Sequence, residues 1–156
     1  MIARRGAATL VLVVAICAAS AAGAVGVAGQ DEGLRGSWHA RQYTLSDGAT
    51  HEVQGQIHFT ESDWLVLFFV MDGDTAARGS AEGGRYTLEG DELTFEHLHH
   101  LSVGDALGGL PASPLRMETR AGDGPLEATR IEIAGDRLTL FFPTGNRMMF
   151  ARGSAP

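Results

Sequence analysis

Three of the six histidines fall within one five-residue stretch, Glu96-His97-Leu98-His99-His100. On an extended strand alternate side chains share a face, so His97 and His99 point one way and His100 the other. Two imidazoles about 7 Å apart along a strand can join a third ligand to hold Zn²⁺, with Glu82, His39 or His58 as the candidate third. The same pair can act as a general acid and base near neutral pH. No cysteine, no helical H-x-x-x-H and no second clustered motif accompanies them, so the spacing calls for no metal. It points instead to polar groups lining a cavity, hydrogen-bonded to Tyr86, Glu82 or water. Burying imidazoles without partners costs free energy, so such a patch marks the place where a ligand's polar end would sit. His39, His51 and His58 read as surface residues.

Other chemistry is missing from the chain. There is no G-x-S-x-G, no phosphate-binding P-loop and no G-x-G-x-x-G after a strand. All twelve basic residues are arginine, so no lysine is available for Schiff-base chemistry. Ser37, Ser80 and Ser102 have no local activating partner. Met71-Asp72-Gly73-Asp74 resembles the start of a Ca²⁺ loop but lacks the distal Glu, and reads as a hairpin turn.

The elements that would position the histidines are strands. Nine short β-branched or aromatic runs, 37–45, 52–60, 64–71, 78–88, 92–101, 115–120, 127–133, 138–142 and 147–152, are separated by Gly-Asp, Asp-Gly, Thr-Gly and Pro-containing turns. Short strands joined in sequence predict an all-β, antiparallel up-and-down barrel of about 8–9 strands. Residues 102–113 form a loop, either a lid or a single helical turn. Symmetric turns pair Phe59 with Trp64, Ile57 with Val66 and Gly55 with Phe68, then Leu88 with Leu93 and Tyr86 with Phe95. Continuing that second ladder sets Gly84 opposite His97 and Glu82 opposite His99, with Arg85 and Glu96 as a solvent-side ion pair. A third hairpin pairs Ile133 with Leu138 and Ile131 with Leu140. Phe59, Trp64, Phe68, Tyr86, Phe95, His97 and His99 thereby share the interior. On the opposite face of the third strand Leu65, Leu67, Phe69 and Met71 are also apolar. Such a stripe wants cover, either from the amino-terminal segment or the 106–114 loop, or from a second copy in a homodimer.

Arg4 and Arg5 precede an apolar run over 7–22 that ends in Ala22-Gly23-Ala24, the pattern of a cleavable signal peptide over 1–24. Residues 25–33 are a flexible lead-in and 34–152 the folded domain. Cleavage would remove Cys17 and leave ten arginines against nineteen acids, a net charge of −9 with histidine neutral. Disulfides and thiol chemistry are then excluded. An acidic surface also opposes nucleic acid, and no stable membrane anchor remains. The expected location is secreted or periplasmic.

Gly36-Ser37-Trp38 at the first strand is similar to the Gly-x-Trp opening of lipocalins. Gly84-Arg85-Tyr86-Thr87-Leu88-Glu89-Gly90-Asp91, the His-containing strand, and Gly135-Asp136-Arg137-Leu138-Thr139-Leu140 extend the resemblance to bacterial lipocalin-like domains over roughly 34–152. The resemblance implies a barrel closed at one end by Trp38. A late-strand arginine, Arg147 or Arg152, would lie across the ring, and the other end would admit a small hydrophobic ligand. Disulfides and further lipocalin motifs are absent. The function that follows is an exported protein holding a hydrophobic or amphipathic small molecule, its polar end fixed by His97, His99 and Tyr86, with no cofactor. Two alternatives share the fold. One is a barrel isomerase, cyclase or hydrolase using His97 and His99 as acid–base groups or metal ligands. The other is a filled barrel acting as a protein-interaction module.

Overall fold

The computed structural model describes residues 33–153. The expected signal peptide and all but the last residue of the lead-in lie outside the described residues. Nine strands follow in order: β1 (Gly36–Thr44), β2 (Thr50–Phe59), β3 (Asp63–Asp72), β4 (Thr75–Glu89), β5 (Glu92–Gly104), β6 (Ser113–Thr119), β7 (Leu126–Ala134), β8 (Arg137–Phe141) and β9 (Arg147–Ala151). Each of the nine runs expected from sequence is a strand.

Three hairpins turn on a Gly-Asp pair: Gly73-Asp74, Gly90-Asp91 and Gly135-Asp136. In each the glycine has a positive φ, between 57° and 64°, while no other residue type does. A positive φ at the first central position is what a type II′ hairpin requires, and glycine adopts it without a Cβ clash. These tight turns fix the register of their strands. Leu88 therefore faces Leu93 and Ile133 faces Leu138, as expected, while the turn over residues 60–63, closed by the Thr60 N–H donating to the Asp63 carbonyl at 2.8 Å, sets Phe59 opposite Trp64.

All neighbours in the sheet are antiparallel, and β4 pairs β5 as well as β3. β1, β2, β3, β4, β5, β7, β8 and β9 thus close into an eight-stranded barrel, with β6 outside the circuit. The reason is the length of β5. Its first half (residues 92–96) pairs with β7, and its second half (99–104) pairs with β6. At residues 97–98 the wall forks.

The barrel interior carries the core. Trp38, Ile57, Phe59, Leu93, Leu138, Leu140 and Phe150 are almost completely buried. The Trp38 indole N–H donates to the Leu34 carbonyl at 2.8 Å, which caps this end. Of the two arginines expected over the ring, Arg152 is the one that lies there, 4.3 Å from the ring centroid. It also donates to the carbonyls of Gly33 and Arg35. Arg147 sits at the other end of β9, opposite Thr44, and cannot reach Trp38.

The outer stripe of β3 is not covered by the described residues, and the amino-terminal segment expected as one cover lies outside them. Leu65, Leu67 and Phe69 are exposed among the described residues. The 105–112 loop does not cover them, because it is tied to the open end. Gly108 accepts a hydrogen bond from the His51 ring at 2.9 Å, and Arg78 donates to the carbonyls of Asp105 and Pro111, each at 2.6 Å. The loop's own turn is closed by reciprocal bonds between Leu107 and Leu110.

Candidate functional site

A cavity of about 340 Å³ occupies the half of the barrel away from Trp38. Its apolar wall comes from inward positions of β2, β3, β8 and β9, including Ile57, Val66, Phe68, Leu140 and Met148. Its polar wall comes from β4 and β5, where Ser80, Glu82, His97 and Ser102 face it. Tyr43, Thr144 and Asn146 also line it, and the Asn146 amide donates to the Tyr43 hydroxyl at 2.7 Å. Burial pushes the Tyr43 phenol up from its ordinary value.

The polar wall is built by an irregularity in β5. Gly84 faces His97, but Gly83 faces His99, so Leu98 is an extra residue without a cross-strand partner. A β-bulge of this kind shifts the alternation by one residue beyond it. The register expected from sequence is therefore corrected past His97. Glu82 stands opposite His100 rather than His99, and His99 turns to the outer surface, where its Nδ1 lies 2.9 Å from the Thr119 hydroxyl. Gly84 permits the bulge, because a Cβ built there would lie 1.9 Å from the Glu96 carbonyl oxygen.

Glu82 is the centre of the resulting cluster. The His97 Nδ1–H donates to its Oε2 at 2.9 Å, and the Ser80 hydroxyl donates to its Oε1 at 3.1 Å. His100 Nδ1 is 3.5 Å from Oε1, and His100 Nε2 is 2.9 Å from the Ser102 hydroxyl. Burial works to raise the Glu82 carboxyl. The His97 hydrogen bond, the His97 and His100 charges and the Ser80 hydroxyl outweigh it and hold the group below 4.5. For His97 the hydrogen bond to Glu82 and that carboxylate's charge outweigh burial, raising the imidazole above 6.5. Trp64 packs edge-on to the His97 ring at 5.2 Å and tilts against Phe95 at 4.4 Å. Below the fork a second, smaller hollow of about 150 Å³ lies between His97–His100 and the Arg116, Glu118 and Arg120 side chains of the β6 arm.

Of the residues expected to line a ligand site, His97, Phe95, Phe68 and Trp64 meet around the large cavity. Phe59 and Tyr86 do not reach it. They pack edge-to-face at 5.3 Å toward the Trp38 end, where the Tyr86 hydroxyl donates to the Thr60 carbonyl at 2.8 Å. That bond occupies the hydroxyl expected to meet a ligand. His39 and His58 lie on the outer faces of β1 and β2, where His58 contacts Ser37. Among the described residues no group of three His, Cys, Asp or Glu side chains is arranged to hold a metal ion. Sequence reasoning placed His100 outside and treated Glu82 only as a partner. It missed Tyr43, Arg78, Glu127 and Asn146 as lining residues. The one local signal was the Gly83-Gly84 pair opposite the histidines, since glycine inside a strand marks a bulge or a close approach.

No protein-family model matches the chain, and no curated protein matches it in sequence. Among solved structures, a lipocalin-like protein from Bacteroides uniformis ATCC 8492 is similar over 78% of this chain and 99% of its own, at 17% identity and a TM-score of 0.48. An eight-stranded antiparallel barrel, sealed at one end by a Gly-x-Trp tryptophan under a late-strand arginine and hollow toward the other, is a lipocalin-like fold.

Proposed function

We propose that this protein is an exported carrier that holds a small hydrophobic or amphipathic molecule in the barrel cavity, its polar group against the Glu82–His97–His100 cluster. The observation that carries this reading is the cavity's division into an aliphatic and aromatic wall and one hydrogen-bonded carboxylate–imidazole patch. A volume of about 340 Å³ is at the small end of ligand sites, which span about 300–1,000 Å³. Export is supported by the basic start, apolar run and Ala22-Gly23-Ala24 of the first 24 residues.

The test is a fluorescence titration with the apolar probe N-phenyl-1-naphthylamine. Val66 and Leu67 are neighbours on β3 with opposite faces, Val66 in the cavity wall and Leu67 outside. Val66→Trp should abolish probe binding and Leu67→Trp should leave it intact. Wild-type binding by folded Val66→Trp would refute a site in the cavity. Native mass spectrometry of protein purified from the exported fraction then reports any retained organic mass.

One observation favours a second reading. A carboxylate holding Nδ1 of an imidazole raises its basicity and leaves Nε2 for a reacting group, which would suit His97 to acid–base work in an isomerase, cyclase or hydrolase step. Conversion of the retained compound by wild-type protein, lost in His97→Ala, would favour it over simple carriage.

A further inference from the structure

We propose that two copies of this chain pair through the free edge of β6, antiparallel about Met117, to form one continuous sheet across a twofold axis. Eight of the nine strands are consumed by barrel closure. β6 stands outside the circuit and pairs only with β5 among the described strands. An edge strand offers unpaired N–H and C=O groups to any strand of matching pattern.

The pattern of β6 matches itself. In Pro114-Leu115-Arg116-Met117-Glu118-Thr119, opposite charges flank a central methionine. Antiparallel pairing about Met117 sets Arg116 opposite Glu118 of the partner subunit, and Glu118 opposite Arg116 of the partner subunit. Both are favourable cross-strand pairs on one face, and the twofold relates one to the other. A shift of the dyad by one residue in either direction would lose both.

The second observation is the other face. Six of the eight large hydrophobic side chains exposed among the described residues, Leu65, Leu67, Phe69, Leu101, Leu115 and Met117, lie on the outer positions of β3, β5 and β6. Leu67, Ala81, Leu101 and Met117 form one cross-strand row, as the successive pairings of β3, β4, β5 and β6 show. Leu65 lies over Gly83 and Phe69 over Gly79, so the wall is flat where β4 crosses it. Met117, 69% exposed, is the outermost residue of that row. Pairing at Met117 would join the two apolar rows into one strip and bury the methionines against each other, with the charged face of β6 turned the other way. The dimer expected from β3 alone thus gains an edge, a register and a symmetry.

Sedimentation velocity on the processed protein over a concentration series tests this. Wild type should dimerise. Arg116→Glu places glutamates opposite each other and should weaken association about tenfold or more. The double variant R116E/E118R restores opposite charges across the twofold and should restore the dimer. In the processed protein, which has no other cysteine, M117C should cross-link under mild oxidation, since directly opposed residues have Cα atoms about 4.5–5.5 Å apart, within disulfide reach, while L65C should not. A folded wild type that stays monomeric, its apolar wall covered by residues 25–32 or left bare, overturns the proposal. So does a folded R116E/E118R protein that stays as weak as R116E, or cross-linking at Leu65→Cys but not Met117→Cys.

Discussion

Glu82 and His97 are not cross-strand partners, yet the Glu82 carboxylate accepts a 2.9 Å hydrogen bond from the His97 imidazole. The residue that faces Glu82 across the ladder is His100, whose Nδ1 is 3.5 Å away. The Leu98 bulge brings both rings to one carboxylate by inserting one residue between the two inward positions.

This pair makes stability depend on pH in a defined window. His97 is raised above 6.5, so its contribution is complete below that value and is lost as pH rises through the raised folded-state value. Glu82 is lowered below 4.5, so its contribution is complete above that value and is lost as pH falls through the lowered one. Both are at full strength between about 4.5 and 6.5. Glu82→Gln should cost about 1–3 kcal/mol there, and less above and below. Urea unfolding of wild type and variant across pH measures the difference. A pH-independent gap would mean the pair is not ionic.

The bulge predicts an asymmetry among neighbouring histidines. His97→Ala should weaken binding of a ligand with a polar group by about tenfold, the scale of one lost charge-assisted hydrogen bond. His99→Ala should change it by less than about twofold, because that ring contacts Thr119 outside the barrel. Isothermal titration with the compound retained by the purified protein would distinguish them. Equal losses would mean that both rings face the ligand.

Gly84 should tolerate no side chain. A methyl group would meet the Glu96 carbonyl at 1.9 Å, so Gly84→Ala must move backbone and should cost about 1–3 kcal/mol or more. Gly122, with nothing within 4 Å of its Cβ position, is the control. Thermal melts of the two alanine variants should separate clearly, and an unaffected Gly84→Ala protein would show that β5 is not bulged.

The closed end gives a fourth contrast. Arg152→Ala removes the guanidinium over Trp38 and its bonds to the Gly33 and Arg35 carbonyls. A loss of about 1–3 kcal/mol follows. Arg147→Ala, at the opposite end of β9 and exposed, should stay within about 0.5 kcal/mol of wild type. Chemical denaturation midpoints decide.

Most of the barrel was legible in the residues because strand alternation and two-residue turns are local properties. Gly90-Asp91 and Gly135-Asp136 set their hairpin registers, and period-two patterning then assigns Leu93, Phe95, Ile131, Leu138 and Leu140 to the interior. The site was legible only up to His97. Leu98 looks like any strand residue, and whether it continues the pleat or is squeezed out depends on Gly84 across the ladder and on the Pro125 carbonyl that takes the His97 N–H at 3.0 Å. A one-residue insertion reverses every side chain beyond it, so His99 and His100 exchanged sides. Tertiary structure likewise decided that Tyr86 spends its hydroxyl on Thr60, that Arg152 rather than Arg147 covers Trp38, and that β6 is left outside the ring. Each depends on which distant backbone arrives alongside, and no short-range pattern encodes that.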